Sequence, residues 1–172
     1  MIFTNSILAL LAGRRARRPA RVLAALDQLF LRLAACNAGE AVQTEERIWT
    51  VWMDHPHGAA AQALDAATRD IAARRFDIAE TRLTTLLRHA PEFAEAWHKR
   101  AALYYLLGRD EECLHDLCRT LELEPRHFGA MLHFAEILLG RGARAEARFA
   151  FFAALSVHPH LERAREMLVD KA

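Results

Sequence analysis

Apolar side chains recur at three- and four-residue intervals along this chain, in blocks separated by short breaks of glycine, proline or clustered polar residues. That period belongs to amphipathic helices. From Arg21 to Cys36, RVLAALDQLFLRLAAC puts Val22, Leu26, Leu29, Phe30 and Leu33 on one stripe. Asn37-Ala38-Gly39 breaks the stripe, and Glu40 to Met53 form a second helix that stops before Pro56. Trp49 and Trp52 stand three apart on that helix, a large apolar pair facing either the next hairpin or a partner.

The clearest block runs from Ala94 to His127: a helix, a tight turn at Gly108, an antiparallel helix and a stop at Pro125. With Ala94 as position 1, Trp97 falls at 4, Ala101 at 8, Gly108 at 15, Cys113 at 20, Leu117 at 24, Thr120 at 27 and Pro125 at 32. Counting from Ala60 puts Ala67 at 8, Ala79 at 20, Leu83 at 24 and Leu86 at 27; Arg74 stands at 15, so this turn departs from glycine. Counting from Phe128 gives Ala135, Gly142, Ala147, Phe151, Ala154 and Pro159 at the same marks. Pro91, Pro125 and Pro159 are spaced 34 and 34 apart, and Pro56 precedes Pro91 by 35. Counted back from Pro56, Ala25 becomes position 1 and the two earlier helices form a degenerate hairpin of the same kind.

The spacing has a mechanical reason. Two helices of a hairpin approach closely only where facing residues are small, hence Ala at 8 against Ala or Cys at 20, with bulkier residues filling the gaps. Proline at 32 ends one hairpin and sets up the next. These residues resemble the tetratricopeptide repeat (TPR), whose period is 34. The runs PEFAEAWHKRAALYYLLGRDEECLHDL and LELEPRHFGA are similar to small TPR-containing proteins of alphaproteobacteria. The resemblance implies an all-α, right-handed superhelical solenoid. Its parts are a lead segment (1–20), a degenerate hairpin (21–58), three repeats (60–93, 94–127, 128–160) and a capping helix (161–171) that shields the last hairpin from water.

In that family a partner lies in a concave groove lined by helix A positions 2, 5, 9 and 12. Carried over, the groove residues are Ala61, Leu64, Thr68 and Ile71, then Glu95, His98, Ala102 and Tyr105, then Gly129, Leu132, Glu136 and Leu139. Lys99 and His133, at position 6, lie beside them. An apolar strip with a tyrosine and a few polar handles suits a peptide or helix. The carboxylate clamp of some TPR domains is not expected, because only Lys99 among the matching positions could serve.

Composition narrows the picture without redirecting it. Hydrophobic residues make up 53% of the 172, supplied largely by Ala and Leu, which favour helix. The net charge of +1 gives no push toward nucleic acid. Arg14, Arg15, Arg17, Arg18 and Arg21 all precede the first acidic residue, Asp27, leaving 18 basic against 22 acidic side chains in the rest. Such an arm could touch an anionic membrane surface. The preceding apolar run, residues 2–13, is too short to span a bilayer and lacks the basic start of an export signal. Expected localisation is cytoplasmic, or periplasmic if the N-terminus is a degenerate signal.

Cys36, Cys113 and Cys118 form no metal or disulfide spacing and read as small apolar core residues. The tripeptides His55-Pro56-His57 and His158-Pro159-His160 lack a third ligand at recognisable spacing, so no metal is expected and the imidazoles are assigned to helix C-termini. The adjacent carboxylates Glu45-Glu46 and Glu111-Glu112 are placed on solvated faces. No nucleophile elbow, phosphate loop or zinc-protease motif occurs. The expectation is therefore a non-enzymatic adaptor or assembly protein without cofactor, binding a protein partner in its groove. The alternatives are self-association through Trp49 and Trp52, or membrane tethering by the N-terminal arm.

Overall fold

The computed structural model describes residues 2–12 and 20–169, and every element in them is a helix. In chain order they are α1 (Ile2–Leu11), α2 (Ala20–Ala35), α3 (Ala38–Met53), α4 (Gly58–Ala72), α5 (Phe76–His89), α6 (Ala94–Leu106), α7 (Asp110–Leu123), α8 (Phe128–Gly140), α9 (Arg144–Val157) and α10 (Glu162–Val169). The pairs α4–α5, α6–α7 and α8–α9 are antiparallel hairpins, stacked so that α5 lies on α6 and α7 on α8; α10 closes the far end against α9.

Within each hairpin the small residues meet as their spacing requires. Ala67 and Ala79, Ala101 and Cys113, and Ala135 and Ala147 are all at most 1% exposed. Within the second hairpin, Arg100 crosses from α6 to α7, where Nε and Nη2 donate to the two oxygens of buried Asp116 at 2.6 and 2.9 Å. Arg109 does the same across repeats, reaching Glu80 on α5. The turn at Arg74 conforms to the other two after all. Its φ is 57°, against 68° at Gly108 and 74° at Gly142, so an arginine holds the left-handed backbone that glycine supplies elsewhere.

The N-terminal segments depart from a simple stack. Helix α1 packs on α7 and α9, with Ile7 fully buried in the core of the second and third repeats and the Phe3 ring edge-on to His115 at 5.2 Å. No helix among the described residues is long and apolar enough to cross a membrane. The arginines from 14 to 18 and the side chains of Arg21 and Val22 lie outside the described residues.

The hairpin α2–α3 does not sit ahead of α4 as a preceding repeat would. Its core of Leu26, Phe30, Leu33, Ile48 and Trp52 closes instead on Phe128, at the start of α8, with Val157 and Leu161 beside it. The reason is side-chain chemistry at three repeat junctions. Glu45 pairs with His158 at 3.0 Å, Trp52 Nε1 donates to Glu124 at 3.4 Å, and His55 Nε2 meets Glu92 at 3.2 Å. Helix α3 thus runs from the last junction back to the first, against the direction of the stack. Glu45 is accordingly half-buried, not solvated, and its pKa is lowered mainly by the His158 hydrogen bond.

The paired tripeptides also find a different use from the one expected. The backbone N–H of His57 donates to His55 Nδ1 at 3.1 Å, and that of His160 to His158 Nδ1 at 3.2 Å. A ring nitrogen that accepts an N–H carries no proton. Each first histidine is therefore a neutral clasp between its own loop and a carboxylate, rather than an imidazolium on helix carbonyls.

Candidate functional site

The inner face of the stack is formed by α4, α6 and α8, and α3 lies across its lower part. Trp49 stacks on His98 (ring centroids 5.9 Å apart, 26° between planes) and meets Phe128 edge-on at 5.3 Å. A Cβ added to Gly129 would come within 2.9 Å of the Trp49 ring, so glycine at this position gives the indole its seat. Trp52 lies flat on His127, 4.2 Å away at 9°. Trp52 is only 4% exposed. Of the pair expected to serve self-association, Trp52 is thus buried inside the chain, whereas Trp49 is half-buried.

Under the indoles lies a buried polar group. Glu95, 1% exposed, accepts from His127 Nε2 at 2.7 Å, faces His98 Nδ1 at 3.4 Å and pairs with Lys99 Nζ at 3.1 Å. Burial pushes the Glu95 pKa up, but His98 and His127 more than offset this and hold it well below the ordinary carboxylate range. Burial, with His127 next to it, lowers the His98 pKa to about 4, and burial beside His98 lowers that of His133 to about 4. The His98 and His133 rings stack 5.2 Å apart, and His98 Nε2 and His133 Nδ1 have no hydrogen-bond partner.

Glu95, His98 and His127 bring ligand atoms within 4.8 Å of one another. The hydrogen bonds define how this set is used. The Ala130 N–H donates to His127 Nδ1 at 3.1 Å, so the His127 proton sits on Nε2 and is given to Glu95. Lys99 supplies the opposite charge. In this arrangement the carboxylate is neutralised by a cation and a donor, and the His127 nitrogen facing it has no lone pair to offer.

The structure therefore divides the residues expected to line the groove. Leu64, Glu95 and His98 are buried, as core or beneath α3. Thr68, Ile71, Lys99, Ala102, Tyr105, Leu132, His133, Glu136 and Leu139 are half-buried. The upper part is organised in its turn: Tyr105 stacks on His133 at 5.4 Å and hydrogen-bonds Glu136, which also pairs with Arg163 of α10. His127 was missed from sequence. It precedes helix A instead of standing on it, and only the histidine ahead of Phe128-Gly129 hinted at a buried cap.

No family model matches the chain. It is 29% identical over 150 residues to a TPR repeat-containing protein of Rhizobium etli, covering 85% of this chain and 74% of that protein. Its fold is similar to that of a solved MamA mutant, with a TM-score of 0.54 at 18% identity over 86% of this chain and 84% of that one. Repeat period, stacked hairpins and these likenesses together show a fold of the tetratricopeptide-repeat type.

Proposed function

We propose that the chain is a non-enzymatic adaptor that holds an extended or helical segment of a partner protein along the upper half of its inner face. TPR-type solenoids are protein-interaction architectures in general, and the finer reading rests on one observation. Helix α3 fills the lower inner face, whereas Thr68, Ile71, Ala102, Tyr105, Leu132 and Leu139 keep part of their surface in water. The strip is mostly apolar, with Tyr105, Lys99 and Glu136 as polar handles at its edges, the chemistry by which a groove fixes the register of an apolar segment.

The test is affinity purification with mass spectrometry from the source organism, comparing wild type with Ala102→Arg plus Tyr105→Ala. Circular dichroism first establishes that the variant is folded. A partner lost only from the variant supports groove recognition. A partner retained equally by both overturns it.

A further inference from the structure

The stacking interface of this chain is built between α5 and α6 and again between α7 and α8, each time with the second helix of one hairpin lying on the first helix of the next. Helix α4 is the first helix of a hairpin too, but α3, which precedes it in sequence, turns away across the inner face. The surface of α4–α5 that a preceding helix would cover is open. A cavity of about 830 Å³ lies there, floored by Ala59, Ala60 and Ala63 of α4 and walled by Ile78, Thr81 and Leu86 of α5.

Its shape and lining describe what fits. The cavity follows α5 from Asp77 to His89, a run of about 18 Å at 1.5 Å per residue, which is the length of a helix rather than of a small molecule. Three alanines on one side let a helix backbone approach closely, as the alanine pairs do inside each hairpin. Ala63 occupies the position at which the next two repeats carry Trp97 and Met131, so the cleft is deeper here and has room for a bulky apolar side chain from outside. Ile78, near one end of the run, is 49% exposed. The opposite end of the stack is treated differently: α10 covers α9 and turns Glu162, Arg163, Arg165 and Glu166 outward.

We infer that the α4–α5 face is a second docking surface, which takes an amphipathic helix of a partner protein in the place of a preceding second helix. It continues the interface that α5 makes with α6. The occupant carries aliphatic residues spaced as Leu83 and Leu87 are on α5, with one bulky apolar residue opposite Ala63. This site lies outside the inner-face strip and does not depend on it.

The probe is a fluorescein-labelled, lactam-stapled peptide copying Phe76–Ala90, titrated with the full chain and read by fluorescence anisotropy. Two variants at exposed positions, Ile78→Asp and Thr81→Arg, leave the core untouched, and circular dichroism checks their fold. Saturable binding is expected, at least tenfold weaker in each variant and unchanged by Ala102→Arg on the inner face. Absence of saturable binding overturns the inference, as does equal binding to wild type and both variants. Light scattering supplies the remaining outcome. A wild-type dimer that Ile78→Asp converts to monomer would mean that a second copy of this chain takes the seat, and would overturn assignment to a different protein.

Discussion

Acidification should weaken this fold through two histidines that the structure keeps neutral. His98 and His133 have their pKa lowered from 6.5 to about 4, chiefly by burial, His98 under Trp49 and His133 beside His98. Both are bases whose folded pKa lies below the unfolded value. Between pH 6.5 and 4 the unfolded chain therefore binds more protons than the folded one, and stability falls as pH is lowered through that window. A fall from 6.5 to about 4 corresponds to roughly 3 kcal/mol per histidine. By pH 5 each has lost about 2 kcal/mol; because the stacked rings share part of this effect, the pair costs about 2–4 kcal/mol of a stability that is ordinarily 5–15 kcal/mol. The assay is urea unfolding followed by tryptophan fluorescence at pH 7.5, 6.0 and 5.0, for wild type and for His98→Asn plus His133→Gln. The double variant starts less stable, but its stability should decline with acid by several kcal/mol less than that of wild type. Parallel decline in the two proteins would refute the argument, because the loss would then belong to other groups.

Three further outcomes follow from named contacts. Trp52→Ala removes a ring sandwiched between His127, Phe128 and Phe30, and should cost about 3–5 kcal/mol in thermal or urea unfolding; a loss under 1 kcal/mol would mean that α3 is not docked as described. Asp116→Asn leaves the Arg100 guanidinium, only 13% exposed, without its anionic partner between α6 and α7, and should destabilise by about 3 kcal/mol, measured the same way. Arg74→Gly relieves a left-handed arginine and should raise stability by about 0.5–1 kcal/mol after the extra freedom of the unfolded glycine is subtracted, whereas Gly142→Ala should lower it by a similar amount.

The repeating hairpins were legible because helix packing leaves a periodic trace. Ala at 8, Ala or Cys at 20 and Pro at 32 recur because every hairpin solves the same close-approach problem, and counting finds them. Arg74 shows the limit of that reading. Its residue type suggested a different turn, but a left-handed conformation costs an arginine only about 1–2 kcal/mol, and the hairpins around it impose that amount. The position of α2–α3 was less visible, since its apolar stripe suits any apolar surface and the contacts that choose one are pairs such as Glu45–His158, 113 residues apart. The same long-range contacts decide the site. Position counting places Glu95 and His98 on the inner face, but only the tertiary fold lays Trp49 over them.

An array of stacked hairpins ordinarily behaves as a chain of dominoes, each touching only its neighbours, so that an end can melt while the middle persists. Helix α3 changes that arithmetic. Because α3 and His55 just beyond it touch the junctions after α5, α7 and α9 at once, a hairpin that comes loose must give up its hold on this helix as well as on its neighbours. Cooperativity that a solenoid builds up slowly, neighbour by neighbour, is here imposed in one step across the array. The three repeats should thus melt as a single unit, and the hydrogen exchange of their amides should report one shared opening energy instead of a gradient from end to centre.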